Sequence, residues 1–229
     1  MAAAEAPVEL SQRVSSVPPS DLRTKILQRF AGSTPRHELE DWRLLGVSPE
    51  RLQALQRHFP PNPTPAAVLV PFVDRDEGLT VLLTERATHL ARHAAQIAFP
   101  GGRLEDTDAD FASAALREAQ EEIGLDPGRV EVFGYLPDHL VISGFRVTPV
   151  LALVSPPVEL RLNADEVSAA FEVPAAHFFD RANHKARMRR VGDQDMLLYD
   201  IPWQERNIWG ATAGMLLTLV RMVQEGEGK

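Results

Sequence analysis

The stretch that decides the fold reads GGRLEDTDADFASAALREAQEEIGL and covers residues 101–125. Its second half carries three carboxylates, Glu118, Glu121 and Glu122, at positions i, i+3 and i+4. On a helix of 3.6 residues per turn these positions share one face, where three like charges repel one another unless a cation neutralises them. Mg²⁺ takes oxygen ligands, typically a few carboxylates together with substrate phosphates. The spacing therefore predicts a helix that presents a metal-binding face.

The residues around these carboxylates indicate where the helix begins and ends. Asp108 is suited to cap its N-terminus and Gly124 its C-terminus. Gly101 and Gly102, which lack side chains, could bring backbone close to a phosphate or a metal ion. An apolar stripe at helical spacing would face the core: Phe111, Ala115, Leu116, Ala119 and Ile123.

Composition indicates a soluble globular protein and excludes several kinds of site. The chain has 229 residues, of which 44% are apolar and 24% charged, as expected for one domain with a small extension. The net charge of -8 argues against generic nucleic-acid binding, which favours basic patches. The absence of cysteine excludes disulfides, thiolate catalysis and Cys-based zinc sites. Neither a secretory signal nor a membrane-length apolar run is evident, so we expect a cytoplasmic protein without membrane association.

The chain divides into three segments. Residues 1–20, rich in Ala, Pro, Ser and Glu, predict a flexible arm. Residues 21–64 predict a helical N-terminal extension, with one short helix over 21–30 and a second over 48–58. A proline cluster ends the extension, and residues 65–229 are expected to form the main domain.

The main domain mixes strand patterns with helix patterns, which indicates the α/β fold class. Residues 87–100 are expected to form a loop. The predicted strands cover 66–73, 79–83, 130–136, 147–154 and 167–173, followed by a hairpin over 186–201 turning at Gly192-Asp193 and a helix over 209–223.

Residues 117–125, REAQEEIGL, resemble the signature of the Nudix hydrolases. That family's motif runs Gly, five residues, Glu, seven residues, then Arg-Glu-(apolar)-X-Glu-Glu-X-Gly-(apolar). The second half matches at every fixed position, whereas Gly102 lies one residue further from Arg117 and Ala109 replaces the first Glu, with Asp108 beside it. The resemblance implies a Nudix-type α/β/α sandwich with a mixed β-sheet, a loop–helix–loop metal site and a nucleoside diphosphate substrate.

A second set of residues resembles the coenzyme A pyrophosphatase branch of that family. It comprises LLTERA at 82–87 and QIAFPGG at 96–102. In the same branch this family motif is often one residue longer, with Asp at the position that Asp108 occupies here. Ala91 and Ala95 differ from the Arg and Gly usual there. The resemblance implies metal-dependent hydrolysis of coenzyme A or acyl-CoA to 3′,5′-ADP and (acyl-)phosphopantetheine.

The carboxylate spacing and the resemblance together predict the metal ligands. Glu118 and Glu122 would hold Mg²⁺ or Mn²⁺ directly, and Glu121 would bind through water or a second ion. The carbonyl of Gly101 becomes a plausible further ligand because the glycine pair lies beside the helix. Arg117 would orient Glu121 from outside the metal site.

Other residues are predicted to bind the substrate and to accept the proton of the attacking water. We expect Arg86 to grip the diphosphate by paired hydrogen bonds, whereas Arg103 is left open between that role and a surface charge. The general base is Glu121 or Glu166, because Glu166 falls in a segment resembling the later Nudix loop where an acid often sits.

Several alternatives stay open. The carboxylates could form a solvated helix face with an ion pair between Arg117 and Glu121. The enzyme could cleave another nucleoside diphosphate such as ADP-ribose, or the chain could be a non-catalytic Nudix-like binding module. The apolar stripes of the N-terminal extension could pack on the main domain or on another subunit, which leaves a homodimer open.

Two further groups of residues have structural interpretations that we favour. His89 and His93 have a spacing that could hold zinc on a helix, but no third ligand is evident, so surface or substrate-contacting histidines are expected. Trp203 and Trp209 could stack on a base, although a place in the core is the expected one.

Overall fold

The computed structural model describes residues 19–36, 61–89, 95–141, 143–191 and 194–225. The second helix of the extension and the Gly192-Asp193 turn therefore lie outside the described residues, as does the arm except for its last two residues. Within the described part of the chain, no helix has both the length and the apolar character needed to cross a bilayer. The division into arm, extension and main domain stays a prediction.

Four α-helices, two 3₁₀ helices (Pro127–Arg129 and Arg181–Asn183) and eleven strands lie within the described residues. The helices are α1 (Pro19–Phe30), α2 (Phe111–Ile123), α3 (Ala175–Phe179) and α4 (Gly210–Glu225). The strands are β1 (Thr64–Arg75), β2 (Gly78–Arg86), β3 (Ile97–Ala98), β4 (Gly101–Arg103), β5 (Val130–Tyr135), β6 (His139–Val141), β7 (Phe145–Val154), β8 (Val167–Pro174), β9 (Lys185–Val191), β10 (Gln194–Trp203) and β11 (Arg206–Trp209).

The long elements of secondary structure are confirmed, whereas several short ones were not predicted from the sequence. Each strand predicted from the sequence is present. The prediction of a loop over residues 87–100 is wrong at its end, where β3 pairs with β2. The structure also adds β4, β6, β11 and α3, which have three to five residues each and carry too few side chains to show a period.

The main sheet is mixed, as expected. Strand β1 runs parallel to β7 over ten residues and antiparallel to β2 at its C-terminal end. At its N-terminal end, β1 also pairs with β4, which carries the glycine pair. Strands β5 and β6 pair with β7, whereas β3 and β8 pair with β2. A separate antiparallel sheet has the order β11-β10-β9.

Strand β1 is buried on both faces, which creates the layered architecture. On one face Val70 and Phe72 join a core that includes α1 and α4. On the other face Leu69 and Val73 join a second core that includes α2. Alternate residues of a strand point to opposite faces, so this one apolar run supplies both cores. The result is a sheet between helices, and the α/β/α sandwich is confirmed.

Helix α1 packs against the main domain through an apolar stripe. Leu22, Ile26 and Phe30 are buried in the core that also contains α4. At the end of α1, Arg29 Nε donates a hydrogen bond of 2.8 Å to the carbonyl of Met222 in α4. The helix predicted over residues 21–30 is therefore confirmed, and it packs on this chain.

Candidate active site

Helix α2 carries the three carboxylates, and local hydrogen bonds fix both of its ends. Asp110, rather than Asp108, caps the N-terminus: its Oδ1 accepts hydrogen bonds of 2.8 Å from the N–H and the hydroxyl of Ser113. Gly124 has a φ of 65° and its N–H donates to carbonyls of the last turn. The predicted C-cap is thus confirmed, and the N-cap prediction is wrong by two residues because Asp108 is engaged elsewhere.

The three carboxylates lie in different environments. The side chain of Glu122 is 4% exposed, that of Glu118 is 15% exposed and that of Glu121 is 57% exposed. Glu118 and Glu122 are four residues apart and lie on the same helix face, towards the protein. Glu121 lies at the solvent edge of that face, so two of the three predicted ligands form the enclosed part of the site.

Glu122 is a buried acid between one backbone donor and one arginine. The Gly101 N–H donates to its Oε2 over 3.3 Å, and Arg86 Nη1 lies 3.8 Å from its Oε1. Burial raises the pKa of Glu122 to about 7, against the opposing effects of Arg86 and the Gly101 N–H, and the charges of Glu118 and Glu166 add to the rise. The protein therefore supplies too little positive charge to keep this carboxylate ionised with ease.

The glycine pair gives the helix room to approach β4. A Cβ on Gly102 would collide with the carboxylate of Glu118. A Cβ on Gly101 would collide with the backbone carbonyl of Ala67 in β1. Glycine at position 102 therefore allows Glu118 to lie against the β4 backbone, whereas glycine at position 101 allows β4 to pack closely on β1.

Burial and an adjacent arginine have opposite effects on the pKa of Glu118. Burial raises the pKa of Glu118, while the hydrogen bond from Arg117 opposes the rise. Arg117 Nη1 lies 2.9 Å from Glu118 Oε1 and 3.3 Å from Glu121 Oε2. Arg117 thus contacts Glu121 as predicted, but it also holds Glu118, which the sequence interpretation did not include.

Arg117 is fixed in turn by the loop between β4 and α2. Its Nε and Nη2 donate to the two oxygens of Asp108 over 2.9 and 3.0 Å. Nη2 also donates to the carbonyl of Arg103 over 3.1 Å. The hydrogen bonds from Arg117 hold the pKa of Asp108 below its usual range despite burial. Asp108 is the site residue whose structural role the sequence analysis missed, although its position next to Ala109 was the available signal.

The two predicted substrate-binding arginines have different surroundings. Arg86, at the end of β2, is directed towards the carboxylates through its contact with Glu122. The guanidinium of Arg103 instead lies over the ring of Phe145, 5.5 Å from its centroid. The structure brings Arg86 to the carboxylates and places Arg103 against the start of β7.

Glu166 lies close enough to the helix to affect both buried acids. Its charge contributes to the raised pKa of Glu118 and of Glu122. The Asn163 N–H donates to the carbonyl of Glu122 over 2.9 Å, and the Ala87 N–H donates to the carbonyl of Glu166 over 2.8 Å. Asn163 Nδ2 also donates to Glu166 Oε1 over 3.2 Å. These bonds tie the Glu166 loop to α2 and to the end of β2.

The oxygen-rich site fits a hard divalent cation in its chemistry. Its ligand atoms would be the carboxylate oxygens of Glu118 and Glu122, which suit Mg²⁺ or Mn²⁺. In the described ranges, however, no three His, Asp or Glu side chains are arranged around a common point for an ion. Arg117 contacts Glu118 and Arg86 lies near Glu122. Because burial raises the pKa of Glu122 to about 7, a cation beside this carboxylate would favour its ionised form.

The structure tests some of the predictions made for the two histidines and the two tryptophans. His89 is exposed, and His93 lies outside the described residues. Trp203 is half-buried, packs on the core and lies 4.8 Å from the ring of His177. Trp209 is half-buried at the end of β11, beneath two arginine side chains. The core prediction is therefore confirmed for Trp203 only in part, and Trp209 lies at the surface of the small sheet.

One departure from the coenzyme A signature has a backbone explanation. Ala95 has a φ of 56°, in the left-handed region that glycine enters without steric cost. The usual glycine at this position would adopt the same turn freely, so the alanine changes local strain rather than the course of the chain. Ala91 lies outside the described residues.

The family model described as NUDIX domain matches residues 63–194. An uncharacterized Nudix hydrolase, NudL, of Shigella flexneri serotype 5b (strain 8401) is 43% identical over 167 residues, covering 72% of this chain and 85% of that protein. NudL of Escherichia coli O1:K1 / APEC is 43% identical over 165 residues, covering 71% and 84%. A solved MutT protein from Methanosarcina mazei Go1 has a TM-score of 0.46 and 13% identity, covering 73% of this chain and 99% of that one.

Proposed function

This chain belongs to the Nudix hydrolase family, and on that premise we propose that it hydrolyses the diphosphate bond of coenzyme A or acyl-CoA. The products would be 3′,5′-ADP and phosphopantetheine or its acyl derivative. Nudix hydrolases generally use divalent metal ions. Mg²⁺ or Mn²⁺ is the cofactor proposed for this chain.

The observation that carries the proposal is the environment of Glu122. This acid is buried beside Glu118, with Arg86 near one oxygen and the Gly101 N–H at the other. A helix face kept only for solubility would place its carboxylates in water, as Glu121 is placed. A buried acid with a raised pKa at a cleft of charged groups is typical of a functional site.

The proposed metal site uses residues already close to one another. Glu118 and Glu122, with Glu121 and the carbonyl of Gly101, would hold the ion, which supplies positive charge to the phosphoryl oxygens when bound. Arg117 keeps Glu118 in one orientation through the ion pair with Asp108. The Gly101 N–H orients Glu122 from the other side.

The remaining residues would act on the substrate and the attacking water. Arg86 would donate hydrogen bonds to the diphosphate, because it extends from β2 to the same carboxylate face. Glu166 would accept the proton of the water, since its loop is tied to α2 and its charge reaches both buried acids. Glu121 is the alternative proton acceptor.

The substrate assignment is supported by the sequence signature and by Asp108. In the coenzyme A branch the longer box places an Asp where this chain has Asp108. The two-point pair between Asp108 and Arg117 gives that insertion a defined structural role. The segments 82–87 and 96–102 of the signature form the end of β2 and the approach to β4, which border the carboxylates.

One substrate comparison tests this function. The full chain is assayed with coenzyme A, ADP-ribose and dinucleotide polyphosphates, each with Mg²⁺ and with Mn²⁺, and products are identified by mass spectrometry. The proposal expects the highest kcat/KM for coenzyme A and the release of 3′,5′-ADP. An equal or higher kcat/KM for ADP-ribose would assign the chain to another nucleoside diphosphate. Hydrolysis of none of these compounds would favour a binding module.

A further inference from the structure

Strand β9 concentrates positive charge in an acidic protein. Four of its seven residues are basic, whereas the chain as a whole has a net charge of -8. Lys185, Arg187 and Arg189 alternate along the strand, so they lie on one face of the small sheet. Arg190 lies on the opposite face. The register places Asp200 of β10 opposite Lys185.

Two of the three cations on this face, Arg187 and Arg189, converge on one aromatic ring, whereas Lys185 Nζ donates to the carbonyl of Ala182 over 2.8 Å. Trp209 of β11 pairs with Asp200, which puts the indole on the same face as Lys185, Arg187 and Arg189. The guanidinium of Arg187 lies 5.3 Å from the Trp209 ring centroid, and that of Arg189 lies 5.5 Å from it. Stacking on an aromatic ring restricts the movement of a guanidinium group. Its N–H groups still point outward in the plane of the guanidinium and stay available to an acceptor.

The same face carries a buried carboxylate oxygen without a hydrogen-bond donor. Arg187 Nε lies 2.7 Å from Asp200 Oδ2 in an ion pair. The other oxygen, Asp200 Oδ1, is buried and accepts no hydrogen bond among the described residues. Buried polar atoms usually have a hydrogen-bond partner, so this oxygen indicates a ligand that brings a donor.

The basic face borders the candidate active site. Trp209 is followed by α4, in which Thr212 Oγ1 donates to the carbonyl of Ile97 over 3.0 Å. Ile97 in turn pairs with Glu85 of β2, the residue before Arg86. Arg206 of β11 also lies 3.5 Å from Glu85. Strand β11 therefore adjoins the edge of the main sheet from which Arg86 reaches the carboxylates.

A purely structural explanation accounts for only part of this arrangement. Strand β9 is an edge strand of its sheet, and charged residues on edge strands prevent pairing with other chains. That explanation requires charge along the edge. It does not require two arginines over one indole or a buried carboxylate oxygen without a donor.

We propose that Lys185, Arg187 and Arg189, with Trp209 and Asp200, bind a phosphate monoester and sugar of the nucleotide substrate, away from the diphosphate that is hydrolysed. The arginine and lysine N–H groups would donate to the phosphate, as charge-assisted hydrogen bonds do. Asp200 Oδ1 would accept from a sugar hydroxyl. This proposal rests on the proposed function, and it makes the extra phosphate the feature by which substrates are distinguished.

The test compares two substrates that differ only in that phosphate, coenzyme A and 3′-dephospho-coenzyme A. Arg189→Gln is expected to lower kcat/KM for coenzyme A about tenfold or more, since one charge-assisted hydrogen bond is lost. It should leave kcat/KM for 3′-dephospho-coenzyme A within about twofold of the wild-type value. Arg190→Gln removes the same charge from the other face and should change neither value. Equal losses for both substrates, or no loss for either, would overturn the proposal.

A binding measurement separates this proposal from the proposed function. Isothermal titration compares 3′,5′-ADP with 5′-AMP on the wild-type chain and on the Arg189→Gln and Lys185→Gln variants. The wild type should bind the bisphosphate more tightly, and both variants should lose that difference. Equal affinities for the two nucleotides in the wild type would contradict the basic-face site. If neither coenzyme is hydrolysed but the bisphosphate preference is present, only the proposed reaction fails.

Discussion

Arg117 and Asp108 form a two-point ion pair, with Nε 2.9 Å from Oδ1 and Nη2 3.0 Å from Oδ2. The third guanidinium nitrogen, Nη1, is directed to Glu118 and Glu121. The loop before α2 therefore controls where the carboxylates of α2 lie. Asp108, one position away from the usual acid of the Nudix motif, can hold Arg117 in this way because the motif is one residue longer in this chain.

Asp108→Asn should weaken catalysis without unfolding the protein. An asparagine side chain offers one acceptor where Arg117 now has two, and its amide donor faces another donor. We expect kcat to fall about 10- to 100-fold, as for other residues that orient metal ligands. Steady-state kinetics against metal concentration measures the effect, with the exposed Asp106→Asn as control. An Asp108→Asn variant as active as the control would remove the positioning role.

Glu118→Gln and Glu122→Gln should separate activity from stability. Each retains the size of the side chain and removes a charge that the proposed ion needs, so we expect a loss of turnover of at least about 100-fold. Without metal, the melting temperature should not fall, because burying an amide costs less than burying a carboxylate. The stabilisation by Mg²⁺ or Mn²⁺ should disappear in both variants and persist in Glu131→Gln, an exposed control. Full wild-type activity in EDTA would contradict the metal mechanism.

The stability of the protein should depend on pH through His139. Burial lowers the pKa of His139 to about 4 from an ordinary value of 6.5. The unfolded chain therefore takes up the proton first as the pH falls. The stability that the neutral ring provides is complete above pH 6.5 and is lost as the pH falls towards 4, by at most about 3 kcal/mol.

Urea unfolding in EDTA between pH 4.5 and pH 8 measures this dependence. His139→Gln should flatten the slope of the unfolding free energy against pH, whatever its effect on the absolute value. His89→Gln, at an exposed position, should retain the wild-type slope. Parallel pH profiles for wild type and His139→Gln would show that other groups determine the acid sensitivity.

Helix α1 should contribute to stability but not to chemistry. Ile26 is fully buried, so Ile26→Ala is expected to lower the unfolding free energy by about 2–5 kcal/mol. Gln28→Ala, on the exposed side of the same helix, should have little effect. Deleting residues 1–18 should leave the melting temperature and kcat unchanged. A loss of kcat in folded Ile26→Ala protein would show that α1 influences the active site.

The parts of the fold that the sequence predicts are those that local patterns determine. The period of α2, its Gly124 cap and the apolar run of β1 each depend on neighbouring residues, and each is confirmed. The grouping of Glu118 with Glu122 follows from the helical spacing alone. Residue identity and spacing contain this information because the interacting groups are within one or two turns.

The remaining features depend on contacts between distant segments. Asp108 was predicted as a helix cap, but its bond to Arg117 required knowledge of where the loop folds back. The position of Glu166 depends on backbone bonds that join its loop to α2 and β2. The convergence of Arg187 and Arg189 on Trp209 crosses three strands. No local period encodes such pairings, since they result from tertiary packing.

The bond from Arg29 in α1 to the carbonyl of Met222 in α4 joins residues 193 positions apart. The hydrophobic core beneath these helices contains residues of both. This core is therefore incomplete until α4 has been synthesised. During translation, α1 and the apolar face of β1 would be synthesised well before α4, against which α1 packs. Such long-range closure slows folding and prolongs the exposure of apolar surface. The nascent chain is therefore expected to need protection from aggregation until α4 leaves the ribosome.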